Sequence, residues 1–135
     1  MKNYLGIAPG SRYGFPKDAL MKLGSAEEVM LDLFAYRPAD LAVLGGCWGV
    51  EGDGPEGPGA LSVHHNLAIA GMKAVCVDAV AATIMGFKVE ELPFLALGDK
   101  QGYGTSDVDM IWTRGNEVEQ AQRAFRKPSR WKRAA

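Results

Sequence analysis

The chain has 135 residues, of which 47% are hydrophobic and 23% charged, and its formal net charge is −1. That size suggests one domain with enough apolar residues to bury a core. A charge so near zero gives no overall field to draw in nucleic acid or an anionic membrane surface, and no apolar run approaches the roughly 20 residues of a spanning helix. The opening residues Met1 to Gly6 hold no apolar leader core, so a soluble, cytoplasmic chain is expected.

Residues 1–16 are punctuated by Gly6, Pro9, Gly10, Gly14 and Pro16 and read as loop, with a short strand near Leu5–Ala8. Lys17–Leu23 is a short helix stopped by Gly24. Ser25 followed by Glu28 forms a capping box. The helix it opens carries Val29, Met30, Leu33 and Phe34 at helical spacing and ends near Tyr36, because Pro38 disfavours helix at Arg37. Leu41–Leu44 reads as a buried strand released by Gly45 and Gly46, and Ser62–Ala70 is strand-like. Lys73–Val77 is short, apolar and continuous, the pattern of a strand buried on both faces. Asp78 then reads as the N-cap of a helix closed by Gly86. A further helix covers Val89–Leu92, or starts after Pro93 and runs to about Gln101. Val108–Thr113 reads as a strand and Glu117–Arg126 as a polar helix. Strands alternating with helices predict an α/β fold. The expected form is a single, three-layer-like domain over residues 1–126, with a short, mostly buried sheet flanked by helices and a basic tail at 127–135.

The segment richest in candidate chemistry is Glu51-Gly52-Asp53-Gly54-Pro55-Glu56-Gly57-Pro58-Gly59, which has four glycines, two prolines and three carboxylates. Glycine admits positive φ and proline removes a donor, so the segment is a loop. Glu51 and Asp53 supply oxygen ligands of the kind magnesium and calcium prefer. Gly52 and Gly54 free the backbone amides to converge on an anion. The same composition also makes an ordinary surface turn. His64 and His65 follow; in an extended segment they face opposite sides, so one of them could serve as a proton carrier beside the loop. Asp78, flanked by apolar residues, needs a partner, and a helix start would provide one. Lys2 and Asn3 precede a glycine-rich stretch where Lys2 could meet a small anion. The tail from Arg123 to Arg133 has six positive residues around Trp131 and reads as a solvated terminus rather than a nucleic-acid site. Cys47 and Cys76, without a CxxC, cannot by themselves hold an iron–sulfur cluster.

Several short motifs, in order, resemble the domain-of-unknown-function family 362. They are Lys2-Asn3-Tyr4-Leu5-Gly6, Val50-Glu51-Gly52-Asp53-Gly54-Pro55, Asn66-Leu67-Ala68-Ile69-Ala70-Gly71, Ala74-Val75-Cys76-Val77-Asp78-Ala79-Val80-Ala81-Ala82, Met85-Gly86-Phe87 and Gly102-Tyr103-Gly104. The resemblance spans most of residues 2–116 and points to the C-terminal half of that family. It implies association with ferredoxin-type, redox-linked proteins, whose reaction is generally unassigned. The chain departs from the pattern in lacking cluster cysteines and in having Gly45 where an aspartate commonly ends the strand.

Two functional expectations follow, and whether the chain is an enzyme is left open between them. In the first, Lys2, His64 and His65 act as catalytic groups, while Asn3, Glu51, Gly52, Asp53, Gly54 and Asp78 bind a ligand and Glu51 and Asp53 hold a divalent cation. In the second, the chain is a non-catalytic docking module that assembles with itself, as a homo-oligomer, or with a redox partner subunit.

Overall fold

The computed structural model describes residues 1–15, 17–54, 57 and 59–129. Glu56 of the acidic loop and Arg130, Trp131, Lys132 and Arg133 of the basic tail lie outside the described residues. In chain order, a 3₁₀ turn at Lys2–Gly6 precedes α1 (Gly10–Tyr13), α2 (Asp18–Met21) and α3 (Ala26–Tyr36). The hairpin of β1 (Ala42–Glu51) and β2 (Leu61–Gly71) follows, and then α4 (Ala74–Ile84), α5 (Pro93–Lys100) and α6 (Val118–Ala121). The class is mixed α/β, as expected.

The sequence signals at α3 hold in detail. Glu28 N–H donates to Ser25 Oγ and Ser25 N–H to the Glu28 carboxylate, so both halves of the capping box form. Arg37 leaves the helical region, as the following proline requires. The buried side of α3, Val29, Met30, Leu31 and Phe34, packs toward α5 and the first 3₁₀ turn.

Four expectations are corrected. Residues 73–77 are not a strand: α4 begins at Ala74 and runs unbroken to Ile84. A continuous apolar run is equally a buried strand or a buried helix, and the alanine-rich sequence together with burial on several sides favours helix. Asp78 is therefore mid-helix, not an N-cap. Residues 108–113 form a 3₁₀ turn at Val108–Met110 followed by irregular chain, and the expected helix 117–126 is the single turn α6 followed by an extended segment.

The sheet is an antiparallel two-stranded ribbon, longer than the apolar runs suggested, because β1 continues through Gly45 and Gly46 to Glu51. Its inner face lies against α4. Its outer face is open: Leu41 and Val43 are exposed, so this run is covered on one side and not buried on both. The register shifts between Gly46 and Trp48, where β2 carries one more residue than β1 and Asn66 takes a φ of 58°.

The main core joins Val75, Ala79 and Ala82 of α4 to Leu95 of α5. A smaller cluster unites Ala8, Leu20 and Val29. The chain leaving α5 is tied back by Asp99, whose carboxylate accepts from Ser106 N–H at 2.7 Å, from Ser106 Oγ at 2.9 Å and from Thr105 Oγ1. The Ser106 donors, with Thr105 behind them, hold the Asp99 carboxyl below the usual aspartate range. A depressed folded pKa gives stability that is present above the unfolded value, near pH 4, and lost as the pH falls through the folded value. Acid melts should therefore show a falling midpoint below about pH 4, with a shallower fall in Asp99→Asn. An unchanged slope in that variant would remove Asp99 from the account of acid sensitivity.

Candidate functional site

Glu51 and Asp53 stand at the mouth of the hairpin loop, and both carboxylates are engaged by the chain near its C-terminus. Arg126 N–H donates to Glu51 Oε2 at 3.1 Å, and Gly52 N–H donates to the Arg126 carbonyl at 2.9 Å. Asp53 Oδ1 accepts from Ser129 N–H at 2.7 Å and from Ser129 Oγ at 2.8 Å. Gly52 and Gly54 adopt φ of 85° and 88°, which glycine alone takes without strain, and this turns the loop toward residues 126–129.

Residues 122–129 act as a strap across the ribbon and the end of α4. Arg123 N–H and Phe125 N–H donate to the carbonyls of Ile84 and Met85, and the Arg123 guanidinium donates to the His64 carbonyl at 3.0 Å. The buried Phe125 ring seats against Gly49, where a Cβ would come within 3.0 Å of it. A side chain at position 49 would push the strap off the ribbon.

The two histidines face opposite sides of β2. His65 points inward, 5.7 Å from the Phe125 ring, and its Nε2 lies 2.8 Å from the Ala121 carbonyl. A carbonyl only accepts, so Nε2 carries the proton there, and that nitrogen is committed to holding α6. His64 is exposed and lies beside the Trp48 ring, with ring centres 4.4 Å apart.

The remaining sequence candidates gather elsewhere. The Met1 ammonium meets the Asp78 carboxylate at 2.6 Å, which gives the mid-helix aspartate its partner. Lys2 and Asn3 are exposed on the adjoining 3₁₀ turn. The candidates thus fall into three places: Glu51, Gly52, Asp53, Gly54 and His65 beside the strap, His64 on the outer face of the ribbon, and Lys2, Asn3 and Asp78 at the start of the chain and α4.

Among the described residues no group of three or more His, Cys, Asp and Glu is placed to hold a metal ion. Cys47 and Cys76 are free thiols. No helix of the described residues is long and apolar enough to cross a membrane.

Sequence reasoning missed a cavity of about 590 Å³ between β2, α4 and residues 110–121. Its charged lining residues, Lys73 and Arg114, are 41 positions apart, and no local pattern joins them. The clasp residues Arg126 and Ser129, which bind the Glu51 and Asp53 carboxylates, were also missed, because Arg126 reads as the end of a polar helix and Ser129 as tail.

Together the ribbon, the helical layer and the strap define a mixed α/β module whose acidic hairpin loop is locked to its own chain. The model of a family described as a domain of unknown function, DUF362, matches residues 1–83, more than half of the sequence, and the chain belongs to that family. The match takes in the Lys2-Asn3 segment, the acidic loop and most of α4. The expectation that the likeness covers only the family's C-terminal half is not borne out. No curated protein and no solved structure matches the chain.

Proposed function

We propose that this chain is an assembly module that pairs with a second copy of itself through the outer face of the β1–β2 ribbon. The observation that carries this reading is the character of that face. Val43, Trp48 and Val50 are 68%, 64% and 45% exposed on β1. Around them stand Gly45, Cys47, Ser62, Ala68 and Ala70, all exposed and uncharged. Large exposed apolar faces mark interaction sites. Among the described residues each strand also has one edge without a strand partner, a template for further pairing.

A second copy suits this face for an electrostatic reason. A two-fold contact sets the same patch against itself, so any charge on it would meet its like. The patch carries none, and His64 is its sole titratable imidazole. Two such faces would stack at the ordinary sheet separation of about 10 Å, with Trp48 as the anchor.

This reading favours docking over catalysis for the acidic loop. Glu51 and Asp53 are the oxygen pair to which a divalent cation would bind, and it would compete there with the Arg126 and Ser129 donors. The redox association of the family is a proposal about the setting of such an assembly.

Assembly makes thermal stability depend on concentration. The melting midpoint of the wild-type chain should rise over a hundred-fold increase in concentration, while that of Trp48→Glu should stay flat. A wild-type midpoint that does not move would overturn the proposal.

A further inference from the structure

We infer that the cavity between β2, α4 and residues 110–121 binds an amphipathic organic anion. At about 590 Å³ it falls within the roughly 300–1,000 Å³ of small-molecule sites. Leu67 and Ile69 of β2, Val77, Val80 and Ile84 of α4, and Ile111 give it apolar walls. Of the lining residues that the structure describes, Lys73 and Arg114 are cationic and none is acidic. An apolar chamber edged by charge of one sign selects a ligand with an apolar body and an opposite head.

Both cations are placed for that head. Lys73 is the N-cap of α4, whose first-turn amides add partial positive charge at the same end. Arg114 lies with its guanidinium carbon 5.4 Å from the centre of the Trp112 ring, a stacking that orders the fork while its donors stay open. Among the described residues neither cation pairs with a carboxylate. Trp112 and Met110 line the same cavity yet are 82% and 75% exposed, so the segment that would cover an apolar ligand body is itself uncovered when the cavity is empty.

This inference does not depend on the pairing proposed for the ribbon's outer face, because Val43, Trp48 and Val50 are not among the residues that line the cavity, although Ala68 and Ala70 are. It can be tested with two fluorescent probes that differ only in the head: anilinonaphthalene sulfonate and the uncharged phenylnaphthylamine. The wild-type chain should bind the sulfonate more tightly than the neutral probe. Lys73→Ala/Arg114→Ala should weaken sulfonate binding about ten-fold, the scale of a lost charge-assisted contact, and leave the neutral probe unaffected. Ile69→Trp, which fills the chamber, should abolish both; should that variant fail to fold, the surface-charge comparison decides alone. Trp48→Glu should bind both probes as wild type does. Equal sulfonate affinity in the Lys73/Arg114 variant, or loss of binding in Trp48→Glu, would overturn the inference, the second by placing the probe on the outer face.

Discussion

Replacing Phe34 with alanine will destabilise the fold by about 3–5 kcal/mol. The ring is 2% exposed and sits at the meeting point of three segments. Tyr4 of the first 3₁₀ turn meets it edge-on at 4.8 Å, and Tyr103, just beyond α5, meets it edge-on at 4.9 Å from another direction. Truncation removes the buried area of an aromatic, two edge-to-face contacts and the support of neighbours that cannot collapse onto alanine. Denaturant melts measure the loss. Phe34→Leu, which keeps most of the volume, should lose less, and a loss under about 1 kcal/mol in Phe34→Ala would show that the three segments are not joined through this ring.

The second large effect is expected at Gly98. This residue is buried on α5, and a Cβ there would come within 2.7 Å of Val75 Cγ2 and 3.5 Å of Leu31 Cδ2. Glycine in a helix interior costs roughly 0.5–1 kcal/mol relative to alanine, so its presence needs a packing reason. The close approach of α5 to α4 is that reason. Gly98→Val should destabilise by about 1–3 kcal/mol, since overpacking outweighs the gain in helix propensity. Adding Val75→Ala should recover part of the loss, because the two positions share one contact. Strict additivity of the two changes would mean that the clash lies elsewhere.

The elements legible in the sequence are those with a local signal. The Ser25–Glu28 box fixed the start of α3 and Pro38 its end, because caps and proline sterics act over three or four residues. His64 and His65 face opposite sides, as strand alternation requires. The limits appear where the deciding partner is distant. In Ala74–Val77 the apolar run alone does not separate buried helix from buried strand; the alanines that follow it and the helices and ribbon packed around it settle the matter. β1 extends through Gly45 and Gly46 because β2 pairs with it residue by residue, which a single apolar run does not reveal. The acidic segment was legible as a loop and its glycines as positions of positive φ, which Gly52, Gly54 and Gly59 adopt. That its carboxylates accept from Arg126 and Ser129, more than seventy positions away, was not. A separation of 41 positions likewise hid the cavity, since its cations Lys73 and Arg114 lie on separate segments.

The clasp explains why exposed carboxylates on a glycine-rich loop need not signal catalysis. Each satisfies backbone donors on a segment that has no strand or long helix of its own. Among the described residues the outer ribbon face has no corresponding cover, and that exposure is what supports the proposed pairing with a second copy.

Sedimentation equilibrium of the wild-type chain tests this most directly. The expected mass is twice the 14.5 kDa of one chain, falling to 14.5 kDa in Trp48→Glu. A wild-type mass of 14.5 kDa at every concentration would contradict self-assembly through the ribbon.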